Sequence, residues 1–575
     1  MKSIILTLLY ACIQIPAVEA GAASFLPNNF KSWIWQSTIV VDNWLYIDGG
    51  EIYAGADTSA GVPNNNTYAI DLSKSWHTSS VAASVSPRNS DFGTVRRPQL
   101  YYDESHHTVY SSSGYFYDFD QNTVEPSVWG FTPAVDGSVK WTDKFSKKLD
   151  SSFPLISSNW DALTASSGSN HYALGGVIIF NTEPDNPDAI VFQQMAMEQF
   201  VTYDYKTQTF KNQTHSQHAY GGEAQFVPQY GEEGVVLFFG GIQLPDKSFQ
   251  LDNQAANLSM IQVYDIHTGA FYNQTATNAP IGRYEFCSVG VSNEQNNSHE
   301  VFIFGGSTGK STSQSNGTPL STVYILTLPY FHWLEVPNPV AHFRAGHSCA
   351  LIGPKAIPNR NQRQMVSVGG DYKAGHTDYT FDDEWNNGMK IFDLHDLSWS
   401  DDYDAAAKPY VRSDAVNKYY ADNPSYTVKW DNKALSSIFD NGVSPVISAA
   451  TTAATGDAGN AGGTKKSNTG AIAGGVVGGI VALAIAGALV FFWRRRRAYH
   501  GIGPETPPSK DSDGLYMPEL GGPMRGELLG DSTRREEMPA GTVRRELPAV
   551  DAPVEIYTNE RHELPAADVY RSAKE

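Results

Sequence analysis

A glycine doublet at the end of a short apolar stretch recurs along the first 370 residues, and this repeat constrains the fold more than any other feature. In the clearest copy, the sequence VFIFGG, the doublet is Gly305 and Gly306. Counted at the first position of each doublet, successive copies are 64, 62, 65, 65 and 64 residues apart. Six copies at a near-constant period indicate a repeat architecture in which each copy builds one structural unit. The positions concerned are Gly49, Gly50, Ser113 (which replaces the first glycine of the second copy), Gly114, Gly175, Gly176, Gly240, Gly241, Gly305, Gly306, Gly369 and Gly370.

Each copy predicts four short strands, because runs rich in β-branched and aromatic residues alternate with turn residues. The doublet ends the second strand, where glycine adopts an unusual backbone conformation at little cost. A pair of aromatic residues follows each doublet, such as Tyr324 and Trp333 in the fifth copy. We expect these rings to fill the wedge between neighbouring sheets. Stretches with a helical period are scarce, so the array is predicted to be all-β.

An arginine lies just ahead of the first strand in three copies, at Arg97, Arg283 and Arg344, and Arg344 opens the sequence RAGHS. The order of doublet, Tyr or Phe, Trp or Phe, and Arg-x-x-His-Ser resembles the kelch repeat over roughly residues 36–400. The resemblance implies a six-bladed kelch-type β-propeller with four antiparallel strands in each blade and a central channel. The period near 64 exceeds the roughly 50 residues of kelch repeats, so long loops between strands are expected.

The two ends of the array suggest how the propeller closes and how it is covered. We expect one terminus to contribute a strand to the blade at the other end, from residues 28–35 or 424–430. Residues 402–440 predict a C-terminal cap, with short helical segments at 410–420 and 432–439.

The remaining segments predict a single-pass type I protein of the plasma membrane. Residues 1–20 have the pattern of a cleaved secretory signal peptide, with an uncleaved anchor as the alternative. Residues 21–440 form the propeller ectodomain with its cap, and residues 441–469 form a stalk rich in Ser, Thr, Gly and Ala. Residues 470–493 carry no charge and are long enough to cross a bilayer. Four arginines follow at once, so the tail, 494–575, is expected in the cytosol and the propeller on the cell-surface or cell-wall side.

The span and the tail each suggest a partner. Small residues recur every four positions in the span, which permits close helix approach and a homodimer, although many natural spans carry such residues without dimerising. The tail is predicted to be disordered, and it repeats short motifs such as RRELPAV and RHELPAADV. These motifs suggest docking of a cytosolic adaptor, and the alternative is low-complexity sequence without a partner.

Sequons and cysteines predict covalent modification of the ectodomain. Cys287 and Cys349 lie on the first strands of successive copies, and a disulfide or two buried free thiols are both open alternatives. Predicted N-glycosylation sites are Asn65, Asn212, Asn257, Asn273, Asn296 and Asn316.

Charge and site chemistry narrow the class of function. Of the 41 basic and 61 acidic residues, 13 and 15 lie from Arg494 onward, so the rest carries 28 against 46 and a net charge of −18. An acidic ectodomain argues against a nucleic-acid partner. No catalytic residue, metal site or cofactor is predicted, because the histidines show no metal-ligand spacing. Arg283, Arg344 and His347 are candidate ligand-binding residues, with a structural role as the alternative.

The order of segments is similar to that of single-pass kelch proteins of filamentous fungi. It predicts a non-enzymatic binding, adhesion or sensing module for a protein or cell-wall glycan ligand. One alternative is a membrane-tethered carbohydrate oxidase, since kelch-like propellers include the copper-dependent galactose oxidase group. Another is a wall-anchored scaffold whose tail recruits cytosolic adaptors.

Overall fold

The computed structural model shows the propeller and the segment that follows it. The predicted signal peptide, stalk, membrane span and cytosolic tail lie outside the described residues. Within the described ranges, no helix has both the length and the apolar character that a membrane crossing demands. The described residues are 25–55, 61–112, 114–116, 128–143, 159–181, 192–244, 255–293, 298–308, 318–337, 340, 343–356, 361–371, 382–424 and 427–440.

Six antiparallel sheets follow one another along the chain, and each has four main strands whose order in the sheet is their order in the sequence. The first strands of neighbouring sheets pack side by side around a closed ring. The prediction of an all-β, six-bladed propeller is therefore confirmed. Blade 1 consists of β1 (Phe30–Val41), β2 (Trp44–Ala54), β4 (Asn66–Asp71) and β6 (Ala83–Pro87), and blade 2 of β8 (Gln99–Asp103), β9 (Thr108–Ser112), β11 (Trp129–Pro133) and β12 (Val139–Asp143). Blade 3 consists of β13 (Leu163–Ser166), β14 (Asn170–Leu174), β17 (Phe200–Asp204) and β18 (Thr209–Gln213), and blade 4 of β20 (Glu223–Val227), β21 (Val235–Phe239), β23 (Met260–Asp265) and β24 (Ala270–Thr275). Blade 5 consists of β25 (Tyr284–Asn293), β26 (Ser298–Ser307), β27 (Tyr324–Leu328) and β28 (His332–Glu335), and blade 6 of β29 (Ser348–Ile352), β30 (Gln364–Val368), β31 (Met389–Asp393) and β32 (Ser398–Ser400).

Short pairings decorate the blades outside these sheets, and a few helical turns join them. The additional strands are β3 (Val62–Pro63), which pairs with β2; β7 (Val95–Arg96) with β10 (Tyr115–Phe116); β15 (Val177–Asn181) with β16 (Phe192–Ala196); β19 (His218–Tyr220) with β22 (Ile242–Leu244); and β5 (Trp76–His77) with β33 (Asp402–Tyr403). The helices are α1 (Thr318–Ser321), α2 (Asp414–Asp422) and α3 (Lys433–Asp440), with a 3-10 turn at Asn386–Gly388.

Aromatic side chains fill the space between neighbouring blades, as the pairs in the sequence predict. In blade 4, Tyr264 and Phe271 lie opposite each other on β23 and β24, with ring centroids 4.7 Å apart. Both rings reach Phe200 of blade 3, at 4.7 and 4.9 Å. Ring edges against ring faces suit such contacts, and each ring buries a large apolar area. The core is therefore a series of inter-blade layers rather than one central cluster.

The glycine doublets are the junctions between blades. All of the described doublet glycines have positive φ, for example 75° at Gly305 and 97° at Gly306. The amide of Gly306 donates to the carbonyl oxygen of Arg344 in the next blade, at 2.7 Å. A Cβ on Gly305 would lie 2.2 Å from that same oxygen. Glycine is needed twice over, because the backbone is left-handed and the next blade leaves no room for a side chain.

The ring closes through the same contact, so the predicted exchange of a strand between the termini is wrong. The amide of Gly370 in blade 6 donates to the carbonyl oxygen of Trp33 in blade 1, at 2.7 Å. Residues 30–41 form the innermost strand of their own blade, and the described residues of 424–430 form no strand. Two residues beyond blade 6, Asp402 and Tyr403, pair with His77 and Trp76 in the connection between β4 and β6 of blade 1. The same junction joins blades 2 to 6 to one another in turn, so closing the ring needs no swapped strand.

The C-terminal segment packs along blades 4 to 6. Its helices α2 and α3 occur where short helices are predicted. The hydroxyl of Tyr420 in α2 donates to the carbonyl oxygen of Leu328 at 3.0 Å, and the ring of Phe439 in α3 lies 4.7 Å from that of Tyr230. The side chains of Tyr420 and Phe439 are both buried, at 7 % and 0 % exposure. This packing makes residues up to 440 part of the propeller's core.

We expect replacement of Gly305 by alanine to lower the free energy of unfolding by about 3 kcal/mol or more, because the Cβ meets a carbonyl and φ is positive. Gly55 has a φ of 85° with open space around its Cβ position, so Gly55→Ala should cost only about 1 kcal/mol. Gly168→Ala, with open space and no positive φ, should be near neutral. Urea unfolding followed by tryptophan fluorescence measures all three, and equal losses for Gly305→Ala and Gly55→Ala would contradict the junction's role.

Candidate functional site

A ring of six residues narrows one end of the central channel. Five of them lie within two residues of the start of the first strand of their blade, the sixth, Trp35, lies inside β1, and each has a positive φ. Their backbones are joined around the channel; the amide of Glu285, for example, donates to the carbonyl oxygen of Gly221 at 2.8 Å, and that of Gly346 to the carbonyl oxygen of Glu285 at 3.0 Å. We call these residues the neck: Trp35, Arg97, Asp161, Gly221, Glu285 and Gly346.

Four members of the neck hold a left-handed conformation that favours glycine. For residues with a side chain this conformation costs on the order of 1–2 kcal/mol each, and it persists only where the surroundings enforce it. Gly221 and Gly346 show that glycine fits the position. The large side chains of Trp35, Arg97 and Glu285 are therefore retained for what they contact rather than for the backbone.

A charged crossbar spans the channel at the neck. The guanidinium of Arg97 in blade 2 donates to the carboxylate of Asp161 in blade 3 and to that of Glu285 in blade 5. Blades 2 and 5 face each other across a ring of six, so the pair with Glu285 crosses the channel. The indole rings of Trp35 and Trp160 flank the guanidinium, at 5.5 and 5.7 Å from their centroids. We call Arg97, Asp161 and Glu285 the crossbar.

Burial and charge set the protonation of this region. Burial lowers the pKa of the Arg97 guanidinium, but the carboxylates of Asp161 and Glu285 outweigh it and raise that pKa overall, so the cation is retained. Below the neck, Glu223 accepts a hydrogen bond from Ser288 at 2.8 Å. Burial raises the pKa of Glu223 to about 8; the bond from Ser288 opposes the shift, and the charge of Asp161 adds to it. Glu223 is therefore mostly protonated at neutral pH.

A cavity of about 300 Å³ extends from the neck into the channel. All six blades contribute to its wall through the residues that begin their first strands. The second strands end at this same face, because the doublets pack against the residues ahead of the neck. The connections from second to third strands leave here, and each includes residues outside the described part of the chain. The long loops that the period predicts are thus these connections.

The candidate ligand residues Arg283 and Arg344 are structural in their contacts. Arg283 is fully buried, and its guanidinium donates to the carbonyl oxygen of Gly305 at 3.1 Å. Arg344 is 1 % exposed and donates to both carboxylate oxygens of Asp383, at 3.0 and 2.6 Å. Its guanidinium lies 3.9 Å from the ring centroid of Trp385. These side chains brace the inter-blade junction instead of facing the channel.

Two other residues that lie two positions ahead of the neck share this bracing role with different chemistry. Trp33 donates from its indole to the carbonyl oxygen of Gly49 at 3.0 Å, and the amide of Asn159 donates to that of Gly175 at 2.9 Å. Arg97 is not equivalent to Arg283 or Arg344, because it is itself a neck residue. In the sequence Arg97 resembles Arg283 and Arg344, but it lies two positions later in its repeat, and its side chain therefore enters the channel instead of bracing the junction.

His347 and the two cysteines lie together in the cavity wall. His347 is 7 % exposed, and burial, followed by the nearby Arg344, lowers the pKa of its imidazole to about 3. Cys287 and Cys349 join blades 5 and 6 through a disulfide, with Cα atoms 5.5 Å apart. In the described part of the chain, these three residues are the one group of potential metal ligands within 4.8 Å of one another. The disulfide leaves neither sulfur as a thiolate.

The predicted glycosylation sites that the structure describes are at the surface. Asn65, Asn212, Asn257 and Asn273 are all exposed. Asn296 and Asn316 lie outside the described residues. Exposure leaves the four asparagines open to a bulky modification without a change in the fold.

Asp161, Glu285 and Glu223 are the site residues that sequence reasoning missed. A signal was present: aligned on the neck, the six copies read Trp, Arg, Asp, Gly, Glu and Gly. Two copies have glycine at this position and three have a charged residue, and this departure from the repeat could have marked the three charged residues as candidates for a site.

Comparison with known proteins adds little to the fold. No family model matches the chain, and no curated protein sequence matches it. A solved structure described as "Structure of YjhT" aligns with a TM-score of 0.40 at 13 % sequence identity, covering 66 % of this chain and 99 % of that one. A likeness at this TM-score carries nothing on function.

We expect Arg344→Met to lower the free energy of unfolding by about 3 kcal/mol, because it leaves the buried carboxylate of Asp383 unpaired. The double variant Arg344→Met, Asp383→Asn removes both charges and should recover part of the loss. Urea unfolding of the two variants beside the parent chain measures the difference. Unchanged stability of Arg344→Met would return Arg344 to the candidates for ligand binding.

The raised pKa of Glu223 predicts a loss of stability with rising pH. Between pH 7 and about 8 the unfolded chain has this carboxyl ionised while much of the folded chain still binds its proton, so the free energy of unfolding falls as pH rises, by at most about 1.4 kcal/mol per pH unit. Glu223→Gln should flatten this slope. Glu300, whose pKa burial raises to about 7, acts mostly at lower pH, so Glu300→Gln is the control. An unchanged slope in Glu223→Gln would refute the assignment.

Proposed function

We propose that the chain is a binding module that takes its ligand at the neck end of the channel. The observation that carries this proposal is the crossbar: three charged side chains from three blades, each on a residue whose backbone is left-handed, a conformation that costs energy for any residue with a side chain. Strained residues of this kind concentrate at binding and catalytic sites. The same face offers a cavity and the start of six long connections, and loops on a rigid scaffold are where binding specificity commonly resides.

The setting of this module is part of the same proposal. The repeats are of the kelch type, and the chain is a single-pass type I glycoprotein of the plasma membrane that displays its propeller to the cell wall. Its ligand there is a protein or a cell-wall glycan, and its tail couples binding to a cytosolic adaptor. Support comes from the sequence pattern: an N-terminal apolar run, sequons confined to the ectodomain, and an uncharged segment followed by four arginines.

A binding role is favoured over an enzymatic one by the state of the polar groups. Among the serine–histidine pairs of the described residues, two have a buried histidine: Ser166 lies 3.0 Å from His171, and Ser292 lies 3.1 Å from His299. Burial lowers the pKa of both imidazoles to about 3, and both are at most 4 % exposed. A general base acts best with a pKa near the working pH and within reach of the substrate. These pairs therefore serve packing.

The oxidase alternative requires a cysteine crosslinked to a tyrosine beside copper ligands. Of the three cysteines, Cys287 and Cys349 are joined to each other, and Cys12 falls in the predicted signal peptide. The cysteines of the propeller are thus committed to the inter-blade bridge, which disfavours this alternative. The scaffold alternative depends on the tail.

The test is ligand capture by the full-length chain, purified in detergent, on an array of wall polysaccharides and glycans, with a metal analysis of the same sample. Specific capture is expected, and Arg97→Gln should weaken it at least tenfold because two carboxylates then face each other unpaired across the mouth. Arg363→Gln is the matched control, since Arg363 pairs with Asp393 on an outer strand of blade 6.

Capture that Arg97→Gln leaves unchanged would place the ligand elsewhere and refute the proposed site. Stoichiometric copper would favour the oxidase. An array without any capture would refute a glycan ligand. Equal unfolding midpoints of the two arginine variants are required for the comparison.

A further inference from the structure

The channel cavity has two unlike walls. On the side of blades 3 to 5 the polar groups satisfy one another, since Gln225 donates to Ser288 at 2.7 Å and Ser288 donates to Glu223. On the side of blades 6, 1 and 2, four amide or hydroxyl atoms have no hydrogen-bond partner among the described residues. They are Oε1 of Gln36, Oγ1 of Thr38, Nε2 of Gln99 and Oγ of Ser348, all in residues that line the cavity.

Such atoms are uncommon in native proteins, and each one left unpaired costs about 1–3 kcal/mol. Gln36 is only 3 % exposed, so its free amide oxygen is fixed beside the cavity. Thr38, Gln99 and Ser348 are half-buried, and rotation about a side-chain bond turns their polar atoms toward the space. A molecule in the cavity is therefore the available partner for this wall.

The chemistry of the unpaired wall identifies the class of that molecule. One amide oxygen accepts, one amide nitrogen donates, and two hydroxyls do both. None of the four groups is charged. A ligand that satisfies them carries several groups able to donate and accept at once, which describes hydroxyl groups.

Charge in the cavity disfavours an anionic ligand. Arg97 is the one arginine or lysine among the lining residues, and both of its carboxylate partners already engage it. One cation against the two carboxylates of Asp161 and Glu285 leaves a net charge of −1. An acidic sugar or a phosphate would meet this charge without a free cation to bind it.

We propose that the cavity below the neck binds an uncharged, polyhydroxylated ligand of monosaccharide size, such as the terminal neutral sugar of a glycan, through the unpaired wall of Gln36, Thr38, Gln99 and Ser348. This inference rests on the proposed binding function and names its ligand class. The volume of about 300 Å³ lies at the lower end of the roughly 300–1,000 Å³ of small-molecule pockets, so one ring fits and an internal chain segment does not.

The test is equilibrium dialysis of the full-length chain in detergent against radiolabelled glucose, galactose, mannose, N-acetylglucosamine and myo-inositol, with glucuronic acid as the anionic counterpart. At least one neutral compound should bind saturably at one site per chain. Glucuronic acid should bind at least tenfold more weakly than glucose or than the best neutral probe.

Two variants that keep side-chain shape probe the unpaired wall. Thr38→Val and Gln99→Leu each remove one hydrogen-bonding group and should each raise the dissociation constant about fivefold. Gln213→Leu, on the exposed outer strand of blade 3, should leave it unchanged. Thermal unfolding midpoints identify any variant that fails to fold. If Gln99→Leu does not fold, Thr38→Val still tests the inference, because it is a nearly isosteric change.

The outcomes separate this inference from the proposed function. Glycan capture on the array without binding of any free neutral probe, or with binding that Thr38→Val and Gln99→Leu do not affect, overturns the inference and leaves the binding function standing. Tighter binding of glucuronic acid than of the neutral probes also overturns it. Absence of both capture and neutral binding overturns the two together and leaves water as the cavity's occupant.

Discussion

The hydrogen bond from the second glycine of a doublet to a carbonyl oxygen in the next blade, which five of the six doublets make, is the contact on which the propeller depends. It recurs, for example, between Gly176 and Ala219, Gly306 and Arg344, and Gly370 and Trp33, each time at 2.7 Å. Blades with flat apolar faces could slide past one another, because hydrophobic burial has no direction. A directional bond at one fixed point sets the stagger of each blade against the next. The same bond closes the ring, so closure needs no special device.

The site follows from this junction by simple chain geometry. The carbonyl that accepts the bond belongs to a residue two positions ahead of the neck, as Arg344 is to Gly346. Once that residue is held, the next turn of the chain must swing toward the axis in a left-handed conformation. Every blade therefore delivers one side chain, or a glycine, to the same level of the channel. Arg97 reaches Asp161 and Glu285 because the junctions have already brought these three blades to one height.

Much of the architecture could be predicted from the sequence. The doublet requires glycine because its backbone is left-handed and the next blade leaves no room for a side chain, so the doublet recurs at a regular spacing that the sequence shows. The crossbar could not be predicted, because its partners are 64 and 188 residues from Arg97 and no local pattern joins them. The bracing role of the residue two positions ahead of the neck could not be predicted for another reason. Arginine, tryptophan and asparagine all donate a hydrogen bond to a glycine carbonyl at this position, so no single residue type marks it in the sequence. Conversely, Arg97 and Arg283 are the same residue type but have different roles, since Arg97 lies in the channel and Arg283 braces a junction. Residue type alone does not distinguish a junction from a channel.

The repeated blades favour a symmetric channel, whereas a specific binding site needs an asymmetric one, and the asymmetry of this molecule is found at the neck and in the cavity below it. Six identical blades would give a symmetric channel whose groups satisfy one another all round. Here the symmetry breaks in side chains while the backbone keeps it: charged neck residues come from blades 2, 3 and 5, and unpaired neutral groups come from blades 6, 1 and 2. The disulfide between Cys287 and Cys349 holds blades 5 and 6 together beside this boundary. A rigid ring with one unsatisfied side has a definite orientation for whatever it binds, which a symmetric channel lacks.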